Sequence, residues 1–211
     1  MIITIVPHFV GTRGGRMRLI LASSSPRRQA LLKLITSDFE LASHTVEERS
    51  KRTLPQHIVV DIAGRKAEAA IRAGHQGIIL AADTLVLLDG QVLGKPTDRA
   101  DARRMLYCLS GRVHTVLTGL WVVNTQTNQT AIDCVSTQVH FKRLSDGEIE
   151  SYVQRETYAD KAGSYGIQEH AACFIERLEG DYYNVMGLPV ARTAQLLQRV
   201  GYPIEPSRVG D

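Results

Sequence analysis

The run Ile78-Ile79-Leu80-Ala81-Ala82-Asp83-Thr84-Leu85-Val86-Leu87-Leu88 constrains this chain more than any other stretch. Its two apolar pieces, 78–82 and 85–88, are strand-sized and far short of the roughly 20 residues that a membrane-spanning helix needs. They predict a strand buried in a sheet. Asp89-Gly90 then reads as a turn, and a short return strand ends at Gly94-Lys95-Pro96, so the segment is a hairpin. Asp83 is the anomaly. Burying an ionised, unpaired carboxylate is costly, so Asp83 belongs at or near a functional edge of the strand, beside a compensating charge. A divalent metal, Lys66 or Lys95 supplies that charge, and a carboxylate so placed can take a proton from water. An aspartate that caps a bend or pairs with an arginine is the structural alternative.

The rest of the chain alternates helices with hairpins. Leu19 to Ala22 reads as a buried strand and Ser23-Ser24-Ser25 as a polar turn. Pro26 opens a helix carrying Leu31, Leu32 and Ile35, with Ser25 as its N-cap. A strand around 39–42 leads to Glu47-Glu48-Arg49, and a helix runs from about Gln56 to Ala73, closed by Gly74. Thr97 is expected to cap a helix ending at Leu109, and 113–123 with 130–139 forms a second hairpin. Ser145 to Glu148 has capping-box spacing for a helix to about Arg155. Residues 160–168 are glycine-punctuated, a strand is expected near 173–175, and a final helix spans about 190–200. This pattern predicts a mixed α/β fold whose sheet is not purely parallel. One domain is expected over 17–202, preceded by an extension, 1–16, and followed by a tail, 203–211.

Several classes of function are excluded. The formal charge is +3, and Arg13 and Arg16 of the extension supply two of those charges, too little to imply a nucleic-acid partner. The three cysteines form no CxxC pair, which argues against a disulfide framework or thiolate metal site and for a reducing cytoplasm. No histidine has HExxH spacing, and no P-loop, GxGxxG turn or nucleophile elbow is present. The first residues lack the positively charged front end of a secretory signal.

What remains is oxygen, lysine and arginine chemistry. The turn at 23–28 gathers backbone N–H groups, hydroxyls and two arginines, so a phosphate chain would be held by Ser23, Ser25, Arg27 and Arg28. An ordinary capped helix with surface arginines has the same features. Lys66 sits beside the apolar face made by Ile62, Ala63, Ala69 and Ala70, where an ammonium wants an anion, unless it snorkels to solvent. Glu47 and Glu48 offer hard oxygens suited to magnesium or manganese, although paired acids also make solvated turns. Gln168 presents a donor and an acceptor together, matching the edge of a uracil or thymine, and a plain glycine-rich surface loop is the alternative. Together these groups suit metal-assisted attack of water on a phosphate.

In order and spacing, Leu21-Ala22-Ser23-Ser24-Ser25-Pro26-Arg27-Arg28, Ala82-Asp83-Thr84, Gly94-Lys95-Pro96, Leu109-Ser110-Gly111, Asp160 through Gln168 and Asn184-Val185-Met186-Gly187-Leu188-Pro189 resemble the Maf nucleotide pyrophosphatases. The resemblance runs from Arg18 to about Val200. It implies an α/β fold of the Maf and inosine-triphosphatase kind, with a long curved mixed sheet and two lobes around a central cleft, in a homodimer. It also implies a divalent cation, Mg2+ or Mn2+, held by Asp83 and Glu48, with Asp83 as the proton acceptor. Ser23, Arg28, Glu48, Lys66 and Lys95 match the family's phosphate and metal site, and Arg27, Thr84 and Gln168 its specificity positions. The combination is similar to the subgroup that converts dTTP and UTP to the monophosphate and pyrophosphate. A 7-methyl-GTP pyrophosphatase and a non-catalytic regulator of septum formation are the alternatives within the resemblance. Two departures stand out: Glu169-His170 follows Gln168 where glycine is usual, adding a charge beside the base pocket that the resemblance implies, and Asp61 replaces a more usual basic or polar residue.

Overall fold

The computed structural model describes residues 17–42, 45–47 and 50–204. The expected extension at 1–16, most of the expected tail and Glu48 lie outside the described residues.

The described residues form seven strands in one mixed sheet, in the order β2-β1-β3-β5-β6-β7, with β4 added to the far end of β3. The strands are β1 (Leu19–Leu21), β2 (Glu40–Leu41), β3 (Ile78–Leu88), β4 (Gln91–Leu93), β5 (Val113–Asn124), β6 (Thr130–Phe141) and β7 (Ile175–Glu179). β1 runs parallel to β2 and β3, and the remaining pairs are antiparallel. The helices are α1 (Pro26–Leu32), α2 (Pro55–Arg72), α3 (Arg99–Leu109), α4 (Asp146–Val153), α5 (Tyr182–Met186) and α6 (Val190–Arg199). Among the described residues no helix is long and apolar enough to cross a membrane.

β3 spans the residues predicted for it, because its apolar run is buried against helices on both faces. Alternate residues of β3 feed different cores. On one face, Ile78, Leu80 and Ala82 join Leu120 and Val122 of β5 in a core closed by α1 and α6. Farther along the same face, Val86 and Leu88 join Val116 in a second core, closed by α3 and α4. On the opposite face, Ile79 and Ala81 pack with Ala67 and Ala70 of α2, and Leu85 packs with Val59 and Leu117. All of these cores break at Asp83 and Thr84, so the two lobes meet there.

Strand pairing breaks at the same place. β1 pairs with β3 only over Ile78 to Leu80, and β4 only from Val86 onward. Among the described residues, the intervening length of β3 has no strand partner on that edge, and side chains from both sheet faces can reach the gap.

Two expectations are corrected, and one helix is added. Asp98, not Thr97, caps α3: its carboxylate accepts from Asp101 N–H at 2.7 Å, while Thr97 N–H donates back to the Asp101 carboxylate at 3.1 Å. This is a reciprocal cap shifted by one residue, built on the stronger, charged acceptor. The strand expected at 173–175 is a 3-10 helix, His170–Phe174, that gives way to β7. Its buried residues, Ala171 and Phe174, lie three apart, the spacing of one 3-10 face. α5 was not anticipated; Asp181 caps it by accepting from Tyr183 and Asn184 N–H.

Candidate active site

The gap in the edge of β3 opens into a cleft of about 830 Å3, within the usual range of a small-molecule site. Its walls come from the 23–28 turn, α2, β3, the hairpin end at Gly94-Lys95, and the segment 160–168. Ser23, Ser25, Arg27, Arg28, Lys66, Asp83, Thr84, Lys95 and Gln168 all line it, whereas Glu47, offered with Glu48 as a source of metal-binding oxygens, does not.

The 23–28 turn is fixed by its own hydroxyls. Ser25 accepts from Arg28 N–H at 3.5 Å as the cap of α1, and Ser23 accepts from Ser25 N–H at 3.2 Å. Arg28 then reaches across the cleft floor. Its Nε donates to the Gly187 carbonyl at 2.8 Å, and its Nη2 to Thr84 Oγ1 at 3.1 Å. These contacts hold a guanidinium fork in a set orientation beside β3.

Asp83 lies on the α2 face of β3, 9% exposed despite the break in the core. Lys66 Nζ donates to Asp83 Oδ1 at 2.7 Å, and each side chain is 13% exposed. Lys66 therefore does not snorkel, and the expected charge compensation for Asp83 is present. β5 makes this approach possible. Gly119, directly opposite Asp83 in the sheet, lets the α2 backbone come so close that an added Cβ would lie 2.5 Å from Val59 C.

The segment 160–168 is held to the rest of the cleft by charge. Arg27 Nη1 meets Asp160 Oδ2 at 2.7 Å, joining α1 to this wall. The Lys161 side chain is only 8% exposed, and its Nζ donates to Asp160 Oδ1 at 2.9 Å, to Glu169 Oε1 at 3.2 Å and to the Thr157 carbonyl. Burial works to raise the Asp160 pKa, but the hydrogen bonds from Lys161 and Arg27 outweigh it and hold the carboxyl below its ordinary range. Glu169 does not line the cleft; its charge is turned toward Lys161, so the charge expected beside the base pocket is neutralised there. Gly166 leaves room for this arrangement, since a Cβ at that position would lie 2.7 Å from Lys161 Cε.

Among the described residues no three carboxylate, imidazole or thiolate side chains converge on a metal-sized space. Asp83, facing a set of phosphate-binding groups, nevertheless fits magnesium or manganese. Such ions are commonly held by one or two carboxylates together with substrate phosphates and water, not by a protein cage.

Sequence reasoning quoted Asp160, Lys161 and Asn184 within motifs but assigned them no role of their own, and it passed over Thr118, which is buried with Asn184 behind Thr84. Thr118 carried one usable signal: pairing of β3 with β5 sets it opposite Thr84.

Residues 18–200 match the family described as Maf-like protein. The dTTP/UTP pyrophosphatase of Symbiobacterium thermophilum is 48% identical over 188 residues, covering 89% of this chain and 96% of that protein. The dTTP/UTP pyrophosphatase of Latilactobacillus sakei subsp. sakei is 47% identical over 180 residues, covering 85% and 98%. Among solved structures, the Staphylococcus aureus Ham1 protein superposes with a TM-score of 0.45 at 15% identity, covering 59% of this chain and 71% of that one. Since the family model matches residues 18–200 and relatives at 47 to 48% identity cover most of its length, the chain belongs to the Maf family.

Proposed function

We propose that this protein is a nucleoside triphosphate pyrophosphatase that hydrolyses dTTP and UTP to the monophosphate and pyrophosphate. The observation that carries the reading is the Lys66–Asp83 pair at 2.7 Å, in a cleft that Ser23, Arg28 and Gln168 also line. Relatives at 47 to 48% identity bear the corresponding name.

In this reading the triphosphate lies along the 23–28 turn, its charge met by Arg28, Lys66 and Lys95. Water attacks the α-phosphorus as its proton passes to the Asp83 carboxylate. A new P–O bond forms, the bond from the α-phosphorus to the oxygen bridging to the β-phosphate breaks, and pyrophosphate leaves as one unit. By donating to Oδ1, Lys66 fixes the plane of the carboxylate and so the direction from which it takes the proton. Magnesium or manganese, held by Asp83, by Glu48 and by phosphate oxygens, would neutralise charge on the triphosphate. Arg27, Thr84 and Gln168 select the substrate, with the Gln168 amide reading the pyrimidine edge. A homodimer in the cytoplasm belongs to the same proposal. The family resemblance supports both parts, and the free cysteines Cys108, Cys134 and Cys173 suit a reducing compartment.

The test is pyrophosphate release from dTTP, UTP, CTP, 7-methyl-GTP and ITP with magnesium or manganese. Selective conversion of dTTP and UTP is the expected result. Turnover of 7-methyl-GTP alone would keep the chemistry and remove the base assignment, and binding of nucleotide without any turnover would overturn the hydrolase.

A further inference from the structure

We propose that Thr118 is a positioning residue for the cleft arginine Arg28, acting through Thr84; the inference rests on the reading of Arg28 as a triphosphate-binding group. Thr118 is fully buried on β5, directly opposite Thr84, and does not line the cleft. Its hydroxyl donates to the Asn184 carbonyl at 3.0 Å. A threonine hydroxyl has one proton. With that proton on the carbonyl, the 2.9 Å contact between Thr118 and Thr84 runs with Thr84 as donor. The single Thr84 proton is then turned into the protein, and its oxygen is left as an acceptor for Arg28 Nη2 at 3.1 Å. The chain of donors therefore has one direction: Arg28 to Thr84, Thr84 to Thr118, Thr118 to Asn184.

Asn184 is itself held in place. It is fully buried, and its Nδ2 donates to the Val116 carbonyl and to Thr137 Oγ1, each at 3.0 Å. Thr137 in turn donates to the Asp181 carbonyl at 3.0 Å. Three residues on, Gly187 supplies the carbonyl that takes Arg28 Nε at 2.8 Å, so one buried network sets both contacts of the guanidinium fork. Hydrogen bonds aligned in this way strengthen one another. Without the Thr118 oxygen, the Thr84 proton loses its buried acceptor and swings toward the cleft, and the guanidinium is no longer met by an oriented lone pair.

The test compares Thr118→Val, which keeps shape and removes the hydroxyl, with Thr118→Ser, which keeps the hydroxyl. Valine is expected to raise KM for dTTP about tenfold with kcat within about twofold, the size of one charge-assisted hydrogen bond and the pattern of lost ground-state binding. Serine is expected to restore the wild-type KM. In an Arg28→Ala background, Thr118→Val should add nothing further, because its effect passes through that guanidinium. A purely structural role would lower Tm and leave KM unmoved. Should the valine variant not fold, Thr118→Cys is read by the same comparisons. Calorimetric binding of α,β-imido-dUTP reads the same link without turnover. Wild-type binding without hydrolysis would remove the hydrolase reading and leave this test standing. Wild-type KM and affinity in Thr118→Val, or a full further penalty on top of Arg28→Ala, would overturn the proposal.

Discussion

Gly119→Ala separates the fold's contribution to the site from that of the site residues themselves. Gly119 sits in extended backbone, so alanine meets no conformational penalty and the whole effect is steric. Its Cβ would lie 2.5 Å from Val59 C, 2.6 Å from Val60 N and 2.7 Å from Val59 O, all backbone atoms of α2. Restoring ordinary carbon contacts of about 3.5 Å requires α2 to lift from the sheet by about 1 Å. Neither element can rotate a side chain out of the way, so the cost falls at the upper end of overpacking, about 3 kcal/mol. For a chain of this size that lowers Tm by about 6–12 °C. α2 also carries Lys66, so the 2.7 Å contact to Asp83 lengthens, and kcat/KM for dTTP is expected to fall about tenfold to hundredfold. Gly64→Ala is the internal control. Its Cβ would approach only the Trp121 ring, at 2.8 Å, and a ring can move; alanine also gains about 1 kcal/mol of helix propensity. Differential scanning fluorimetry and pyrophosphate release measure both variants. If Gly119→Ala keeps Tm within about 2 °C of wild type, less than 1 kcal/mol for a chain of this length, with unchanged kcat/KM, the argument that α2 packing positions Lys66 is wrong.

Three further outcomes are expected. Asp83→Asn should keep the fold, read by circular dichroism, while lowering kcat by about 10²- to 10⁴-fold, the usual contribution of a general base; a wild-type rate removes Asp83 from the mechanism. Burial lowers the His114 pKa from its ordinary value to about 3, with a smaller contribution from His140. Below about pH 6.5 the unfolded chain takes up a proton that the folded chain refuses, so stability falls as pH drops from there toward 3, at up to about 1.4 kcal/mol per pH unit. Denaturant unfolding between pH 6.5 and 5 should show that slope in the wild type and lose it in His114→Gln; equal slopes reject the assignment. Lys161→Met removes the cation that Asp160 and Glu169 share, leaving Asp160 with Arg27 alone. It should cost about 2–3 kcal/mol, below the full figure for a buried pair because both acids are partly exposed, and weaken dUTP-analogue binding; an unchanged Tm would show that the lysine is dispensable.

Those parts of the molecule governed by neighbours in the chain were legible before the structure. β3, the Ser25 cap and the Ser145 capping box follow from local pattern, and each stands where its residues put it. The Lys66–Asp83 pairing was legible for a different reason: each residue lay within an apolar pattern that left its charge unanswered, so each called for a partner. Arg27 and Asp160 gave no such signal. They are 133 residues apart; Arg27 was read as a ligand for phosphate and not for an acid, and Asp160 stood in a glycine-punctuated stretch without an apolar period. Lys161 is buried only because the loop folds back against β3 and Tyr152, a tertiary effect that no local period encodes. Thr118 and Asn184 could be given no role for a related reason, although Asn184 opens one of the motifs that carry the family resemblance. Small polar residues in a strand and a short helix become significant only when register sets one opposite Thr84 and packing brings the other beneath it.

The gap in β3 pairing accounts for why an acid is tolerated in the most apolar run of the chain. Asp83 and Thr84 are adjacent and so project from opposite faces of the sheet. In a fully paired strand one would be sealed beneath α2 and the other beneath α1 and α5. Because β1 stops at Leu21 and β4 ends at Leu93, opposite Val86, that edge of β3 is open between Leu80 and Val86, and both side chains reach the same cleft from their separate faces. Each face then contributes its own cation to the opening, Lys66 from α2 and Arg28 from α1. The acid–lysine pair and the arginine–threonine pair are therefore anchored in different cores and meet only at the ligand. Loosening one core is expected to impair one pair first: Gly119→Ala acts on the Lys66 side, Thr118→Val on the Arg28 side. Thr118 and Gly119 are neighbours on β5 that serve opposite faces of the sheet, so independence of the two faces requires their effects on kcat/KM to multiply in the double variant, and strong non-additivity would show that the faces are mechanically coupled through the strand.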